Sequence, residues 1–373
     1  MKNTFGTSVS VTLWGESHGA AVGAVLDGLA PGIVVSMNDI VKDLKLRAPV
    51  GNLSTQRQER DEVKILSGVF ENKTTGTPLS LLIPNEDTHS RDYAATRFLA
   101  RPGHADYTAH CKYHGFEDYR GGGHFSGRIT AALVAAGAIC KSALRAKGIV
   151  IGTHIKRCAG IHDRDFSTDP TRLAIELEQL QTKQFAVLDE AAGIQMQDAI
   201  LRAREDKDSV GGILQTVVTG MPAGVGEPWF DSVESCLSHM LFGIPALKGV
   251  SFGDGFALAD MRGSEANDSF YRTENGNAAT YTNHNGGING GITNGMPLCF
   301  SCVIKPTASI YQTQQTIDMR NNTDTKITIH GRHDPAIVHR ARAVVDACTA
   351  IVLCDLLAQR FGTDTLSPAS HIQ

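Results

Sequence analysis
The chain has 373 residues, 42% of them hydrophobic and 20% charged, the balance of an ordinary globular protein with a sizeable core. A net charge of −4 and a sequence pI near 6.4 argue against a nucleic-acid binder, which would carry a basic surplus or stripe. No segment offers about 18 uninterrupted apolar residues, and the N-terminus lacks a basic stretch followed by an apolar run and a cleavage site, so a cytoplasmic protein is expected.

In chain order, a strand over 8–13 runs into the loop Gly15-Glu16-Ser17-His18-Gly19, and a second strand follows over 22–26 before Asp27-Gly28. Ser36, with the acidic Asp39 three residues on, opens a helix to about Lys45 in the manner of a capping box. Strands over 62–69 and 77–83 show beta-branched, alternating character. Over 126–147, Ile129, Leu133, Val134, Ala138, Ile139 and Leu144 fall at helical spacing, and Gly148 ends the run. Amphipathic helices fit 171–184 and 194–206, and a strand fits 213–219. The segment 296–304 also reads as a strand, so Cys299 and Cys302 face opposite sides rather than forming a metal pair. Asp334 before Pro335 is a helix start, with an apolar stripe to Phe361 and Gly362 as the stop. Strand pairs followed by helices favour a layered α+β sandwich of antiparallel sheets and helices over a doubly wound parallel sheet. No low-complexity tract or linker divides the chain, so 1–373 is expected to be a single domain. Eight scattered cysteines suit reduced thiols.

Thirty-eight glycines exceed the usual share, and they cluster at 121–123, 286–287 and 290–291, where backbone can approach a ligand closely or simply turn. His18 sits in a tight loop after a strand. An imidazole there can protonate a leaving group near neutral pH, or hydrogen-bond the turn it stands in. Arg101-Pro102-Gly103-His104 offers a guanidinium fork for a carboxylate or phosphate and presents a second histidine. His110 and His114, four apart, lack the Glu after the first His that a zinc-protease helix carries, so no metal is expected. Gly121-Gly122-Gly123-His124-Phe125-Ser126-Gly127-Arg128 leads into a helix, where free N–H groups, a hydroxyl and an arginine make an anion cradle. It is neither a Walker loop nor a dinucleotide fingerprint. Lys305-Pro306-Thr307-Ala308-Ser309 leaves a strand with a cation and two hydroxyls. Arg332, His333 and Asp334 gather a cation, an imidazole and a carboxylate, the last also a plain helix cap.

Together, and in this order, Gly15-Glu16-Ser17-His18-Gly19 with Asp27-Gly28, the triple glycine through Arg128, and Gly331 through Leu353 resemble the three signatures of the chorismate synthase family. Gln56-Arg57, Lys64-Ile65-Leu66-Ser67-Gly68 and Arg101 through Asp106 also read as in that family. The resemblance implies the layered sandwich, a homotetramer, and elimination of phosphate from 5-enolpyruvylshikimate 3-phosphate at reduced FMN, a step of the shikimate pathway. It implies that His18 protonates the leaving phosphate, that His104 stabilises or protonates the reduced flavin, and that Asp334 assists proton removal. It assigns FMN binding to His124, Phe125, Ser126, Ala246, Gly290, Lys305, Pro306, Thr307, Ala308, Ser309 and Arg332, and substrate binding to Ser17, Arg47, Arg101 and Arg128. Reduction of FMN by the protein itself with NADPH and reduction by an outside donor, with NADPH then an indirect reductant, both stay open, and the absence of an obvious extra domain favours the outside donor.

The chain departs from the family's pattern in His124-Phe125-Ser126-Gly127-Arg128, where many members carry Arg-Ser-Ser-Ala-Arg. The 45–53 loop keeps only Arg47, which makes Arg57 and Arg60 candidate substitutes. Pro245 stands where an asparagine is common, and Asp346 where glutamate is usual. Two other readings stay open: an FMN-dependent oxidoreductase with net electron transfer, and a catalytically silent flavin- or anion-binding protein on the same scaffold.

Overall fold
Two helices are apolar on nearly every side, and such helices belong in an interior. Thr130–Arg145 is built mainly from alanine, leucine and isoleucine, and Val338–Phe361 is buried from Val338 to Ala358 except at Arg340. In the computed structural model, which describes residues 2–49, 51–54, 60–86, 96–329 and 333–368, they pack on each other between two antiparallel sheets. The first sheet has the order Thr4–Phe5, Ser10–Gly15, Ala21–Asp27, Leu79–Pro84, Lys64–Ser67, and the helix Thr130–Arg145 lies against it. The second has the order Leu247–Phe252, Leu298–Ile304, Gly212–Thr219, Val150–Cys158, Ile161–His162, and Val338–Phe361 lies against that one. This is the expected α+β layering with antiparallel sheets. One hydrophobic cluster runs through all four layers, from Val9 to Leu366. The stretch Gly127–Arg145 has the length and hydropathy of a membrane span, yet 89% of its most apolar window is buried within the fold, as befits a core helix.

Local signals explain many element ends. Ser36 accepts from the Asp39 N–H at 3.2 Å and caps the helix Met37–Arg47. Asp169 and Asp189 do the same for Pro170–Leu180 and Glu190–Glu205. The second of these starts four residues before the periodicity suggests, because Asp189 supplies the cap. The C-terminal helix begins at Val338 rather than at Asp334. The Pro335 carbonyl is drawn away to accept from Val210 N–H at 2.8 Å, and the Asp334 carboxylate accepts from Arg340 at 2.7 Å instead of capping. The strand Val150–Cys158, with glycine, histidine and lysine among its apolar residues, carries too mixed a pattern to be read without its partners.

The N-terminal segment reaches its place through Asp355, deep in the C-terminal helix. That carboxylate accepts from the N–H groups of Thr7, Ser8 and Val9 at 2.7–3.2 Å. It thereby fixes the strand Ser10–Gly15 that ends in the His18 loop.

Candidate active site
The hairpin between Ser10–Gly15 and Ala21–Asp27 holds Ser17 and His18, which are 0% and 8% exposed. The Ser17 N–H donates to the Gly123 carbonyl at 3.0 Å, and Gly15 O lies 2.7 Å from His124 Nδ1. These two bonds dock the triple-glycine turn onto the hairpin. Gly121, Gly122 and Gly123 all have positive φ, +59°, +85° and +52°. A Cβ on Gly121 would lie 2.2 Å from His18 Cε1, and one on Gly122 would lie 3.0 Å from His104 Cε1. Both imidazoles therefore rest on adjacent residues of one turn, and only glycine leaves room for them.

Each further segment is tied to the next. Lys305 Nζ donates to the Gly103 carbonyl, and a Cβ on Gly103 would lie 3.4 Å from that of Ala308. The Lys305 N–H in turn donates to Ala246 O at 2.9 Å, from a residue at φ +72°. Six residues beyond Lys305, Tyr311 lies with its ring centroid 5.2 Å from that of His333. Asp334 accepts from Arg340 Nη1, and Arg340 Nε donates to the Arg47 carbonyl at 2.9 Å. The guanidinium of Arg47 donates to Thr130 Oγ1, the Gly127 carbonyl and Asp61 Oδ2. Asp61 also accepts from Arg128, whose Nε donates to Asn85 Oδ1 at 2.9 Å. The Asn85 amide donates to the carbonyls of Glu16 and Gly19, both at 2.9 Å, and so returns to the His18 loop. The contacts close a circuit around the glycine turn.

Electrostatics around the two histidines is set by two aspartates. Burial alone would raise the Asp106 carboxyl, but hydrogen bonds and charge from Arg101 and His104 reverse this and hold it far below the usual 3.8. Burial likewise opposes ionisation of Asp118. Bonds from the side chain and backbone of Arg120, with the charges of Arg120 and His18, still keep its carboxyl below 3.8. Beside His104 opens a narrow, mostly polar cleft, lined in part by Arg101, Asp106, Tyr119, Gly122 and Phe125.

Of the residues singled out from sequence, Ser17, His18, Arg47, Arg101, His104, His124, Arg128, Ala246, Lys305, Ala308 and Asp334 belong to this circuit or touch it. Phe125 lines the cleft and meets Tyr113 edge-on at 6.0 Å. Ser126 Oγ accepts from Arg128 N–H at 3.2 Å, and Ser309 is 9% exposed. Pro306 packs on Gly211, and the Thr307 carbonyl accepts from Ser209 Oγ at 2.8 Å. Gly290 stands apart, at the tip of the hairpin formed by Ile288–Asn289 and Ile292–Thr293, with open space where a Cβ would be. Arg332 and Arg57 lie outside the described residues. Arg60 is exposed and pairs with Glu86 at 3.9 Å. The helix Asp106–Tyr113 ends before His114, which has φ +56°, while His110 Nδ1 lies 3.3 Å from Glu117. Asp61 and Asn85 carry much of the geometry and had no sequence signal, since their partners lie in distant segments, whereas Asp118 and Arg340 went unread although Arg120 and Asp334 stand two and six positions away.

An α+β sandwich that seats two imidazoles on one glycine turn, with arginine–carboxylate groups alongside, defines an enzyme that does acid–base chemistry on a small anionic substrate. A family model described as chorismate synthase matches residues 9–358. The chain is 43% identical to a chorismate synthase of Thermococcus kodakarensis over 95% of its own length and 97% of the relative's. It is 44% identical to one of Pyrococcus abyssi over the same shares. A solved chorismate synthase structure superposes with a TM-score of 0.76 at 28% identity, covering 96% of this chain and 94% of that one. The chain belongs to the chorismate synthase family.

Proposed function
We propose that this chain converts 5-enolpyruvylshikimate 3-phosphate to chorismate and phosphate by a 1,4-elimination that needs reduced FMN and leaves no net redox change. The observation that carries this reading is the seating of His18 and His104 on adjacent glycines of one turn. The substrate bears two carboxylates and a phosphate, and the chain as a whole is net negative, so local cations are required. Among the described residues, Arg47 and Arg128 both donate to the carboxylate of Asp61, which holds two cations side by side. Together with Ser17 and Arg101 they form the proposed substrate side.

In this scheme His18 holds a proton at its imidazole for the phosphate oxygen as the allylic C–O bond breaks. Asp334, whose carboxylate Arg340 steadies, accepts the proton that leaves the substrate. His104 faces the flavin side, beside the Gly103 carbonyl to which Lys305 donates, and the hydroxyls of Thr307 and Ser309 follow Lys305 in the chain. The residues fit a flavin mononucleotide. Thr307 Oγ1 is enclosed without a hydrogen-bond partner among the described residues. When bound, the reduced flavin supplies electron density to an allylic system that acid and base alone would activate poorly. His124, Phe125, Ser126, Ala246, Gly290, Pro306, Ala308 and Arg332 complete the proposed cofactor side. The same reading makes the chain a single domain that assembles as a homotetramer in the cytoplasm and takes its reduced flavin from an outside donor.

Anaerobic mixing with dithionite-reduced FMN and the enolpyruvyl substrate tests the scheme. Phosphate release far beyond the flavin supplied, with the flavin still reduced at the end, is expected. Stoichiometric flavin oxidation would point instead to net electron transfer, and no phosphate at all to a silent binder. His18→Ala and Asp334→Ala should each slow turnover by roughly 100-fold or more while changing FMN affinity far less. Wild-type rates in both would refute the assigned roles.

A further inference from the structure
Asp106 opens the helix Asp106–Tyr113, two residues beyond His104, and its carboxylate organises the whole turn. Oδ2 accepts from the Arg101 backbone N–H at 3.0 Å and from Arg101 Nε at 2.7 Å. Oδ1 accepts from Arg101 Nη2 at 2.7 Å and lies 2.9 Å from His104 Nδ1. Arg101 Nη2 lies 3.2 Å from the same Nδ1. Two groups thus compete for that ring nitrogen with opposite demands. A guanidinium only donates and requires a bare nitrogen, whereas a carboxylate only accepts and requires N–H. The carboxylate is nearer and anionic, and Arg101 Nη2 already has Oδ1 as its acceptor at 2.7 Å, so the N–H demand prevails.

We propose that Asp106 is a positioning residue that fixes neutral His104 as the Nδ1–H tautomer and turns Nε2, as the acceptor nitrogen, onto the glycine turn. Nε2 then lies 3.2 Å from the point a Cβ on Gly122 would occupy, on the wall of the cleft. Arg101 holds the carboxylate through Nε and Nη2, so Arg101 and Asp106 act as one clamp on the imidazole. Lys305, bonded to the Gly103 carbonyl, fixes the other end of the same turn. An orienting carboxylate behind a histidine sets which nitrogen faces the reaction, and losing it leaves the ring in place but in the wrong tautomer. This inference rests on His104 acting in the reaction as proposed above.

The test is nitrogen-15 NMR of the full chain labelled at histidine and recorded at alkaline pH, where imidazole is neutral. The His104 signals are assigned by their loss in His104→Ala. Wild type is expected to show a protonated Nδ1 and a bare Nε2, and Asp106→Asn to shift signal toward the Nε2–H tautomer. Asp106→Asn should also lower kcat by roughly 10- to 100-fold with KM nearly unchanged, and add no further loss in a His104→Ala background. Asp106→Glu, which keeps the charge, should keep the Nδ1–H signature. A wild-type spectrum showing Nε2–H, or an Asp106→Asn spectrum like wild type, overturns the proposal. Should Asp106→Asn fail to fold, the wild-type tautomer decides alone. If His104→Ala turns over like wild type, the assigned role of His104 falls, while the tautomer spectra still decide what Asp106 does.

Discussion

At Gly121 two demands coincide, a φ of +59° and the edge of the His18 ring where a side chain would begin. Gly121→Ala therefore displaces the imidazole, since a ring at the end of a side chain yields more readily than backbone. At Gly123 the obstacle is backbone, the Asp118 carbonyl 2.1 Å from a would-be Cβ. The two substitutions should part company. Gly121→Ala is expected to lower kcat by about 100-fold, the scale on which a misplaced catalytic group is felt, with a modest change in melting temperature. Gly123→Ala should mainly destabilise, by roughly 1–3 kcal/mol. Steady-state rates and thermal melts on both variants check this, and normal turnover in Gly121→Ala would contradict the seating of His18. The triple glycine itself is visible in the sequence, but that its first two residues meet His18 and His104 is not, because those partners lie about a hundred and about twenty positions away.

The central pair of helices shows the same division at the level of elements. Gly137 lies in the middle of Thr130–Arg145, and a Cβ there would fall 2.3 Å from Ala347 Cβ and 2.5 Å from its Cα on the C-terminal helix. Helix propensity alone favours Gly137→Ala by about 1 kcal/mol. Overpacking against a neighbouring backbone opposes it by about 1–3 kcal/mol, so a net loss of stability is expected. A lower urea midpoint for Gly137→Ala, partly restored by adding Ala347→Gly, is the anticipated pattern. An unchanged or higher midpoint would mean that the helices can separate freely. Periodicity identified the first helix, which ends at Arg145 in a turn that Gly148 completes at φ +77°, and also the apolar stripe of the second. It misplaced the start of the second at Asp334, because a carboxylate before a proline suits both a cap and the partner of an arginine six residues on. The local pattern holds no term for the Arg340 that claims it.

For the molecule as a whole, Trp229 and Phe230 stand 84% and 89% exposed, an adjacent pair among several exposed aromatic side chains that include Phe116 and Phe256. Assembly into the proposed homotetramer would cover such surface. Light scattering should then give about four times 39.9 kDa, and Trp229→Ser with Phe230→Ser should shift the mass downward if this pair lies in the interface. A monomeric mass for wild type at micromolar concentration would count against the assembly.

What the amino-acid order determined by itself were matters of short range. These include the alternation of two strands around the His18 loop, the cap at Ser36, the stop at Gly362, and the types of side chain able to handle protons and anions. Each depends on backbone geometry or spacing within a few residues. Which charges meet was decided only by the tertiary structure. Asp61 binds Arg47 and Arg128, and Asp355 holds the N-terminal segment, because sheet order and the packing of two buried helices bring those groups within hydrogen-bond reach. A carboxylate carries no mark in the sequence of the cation it will meet. That pairing emerges when burial makes an unpaired charge too costly to leave alone.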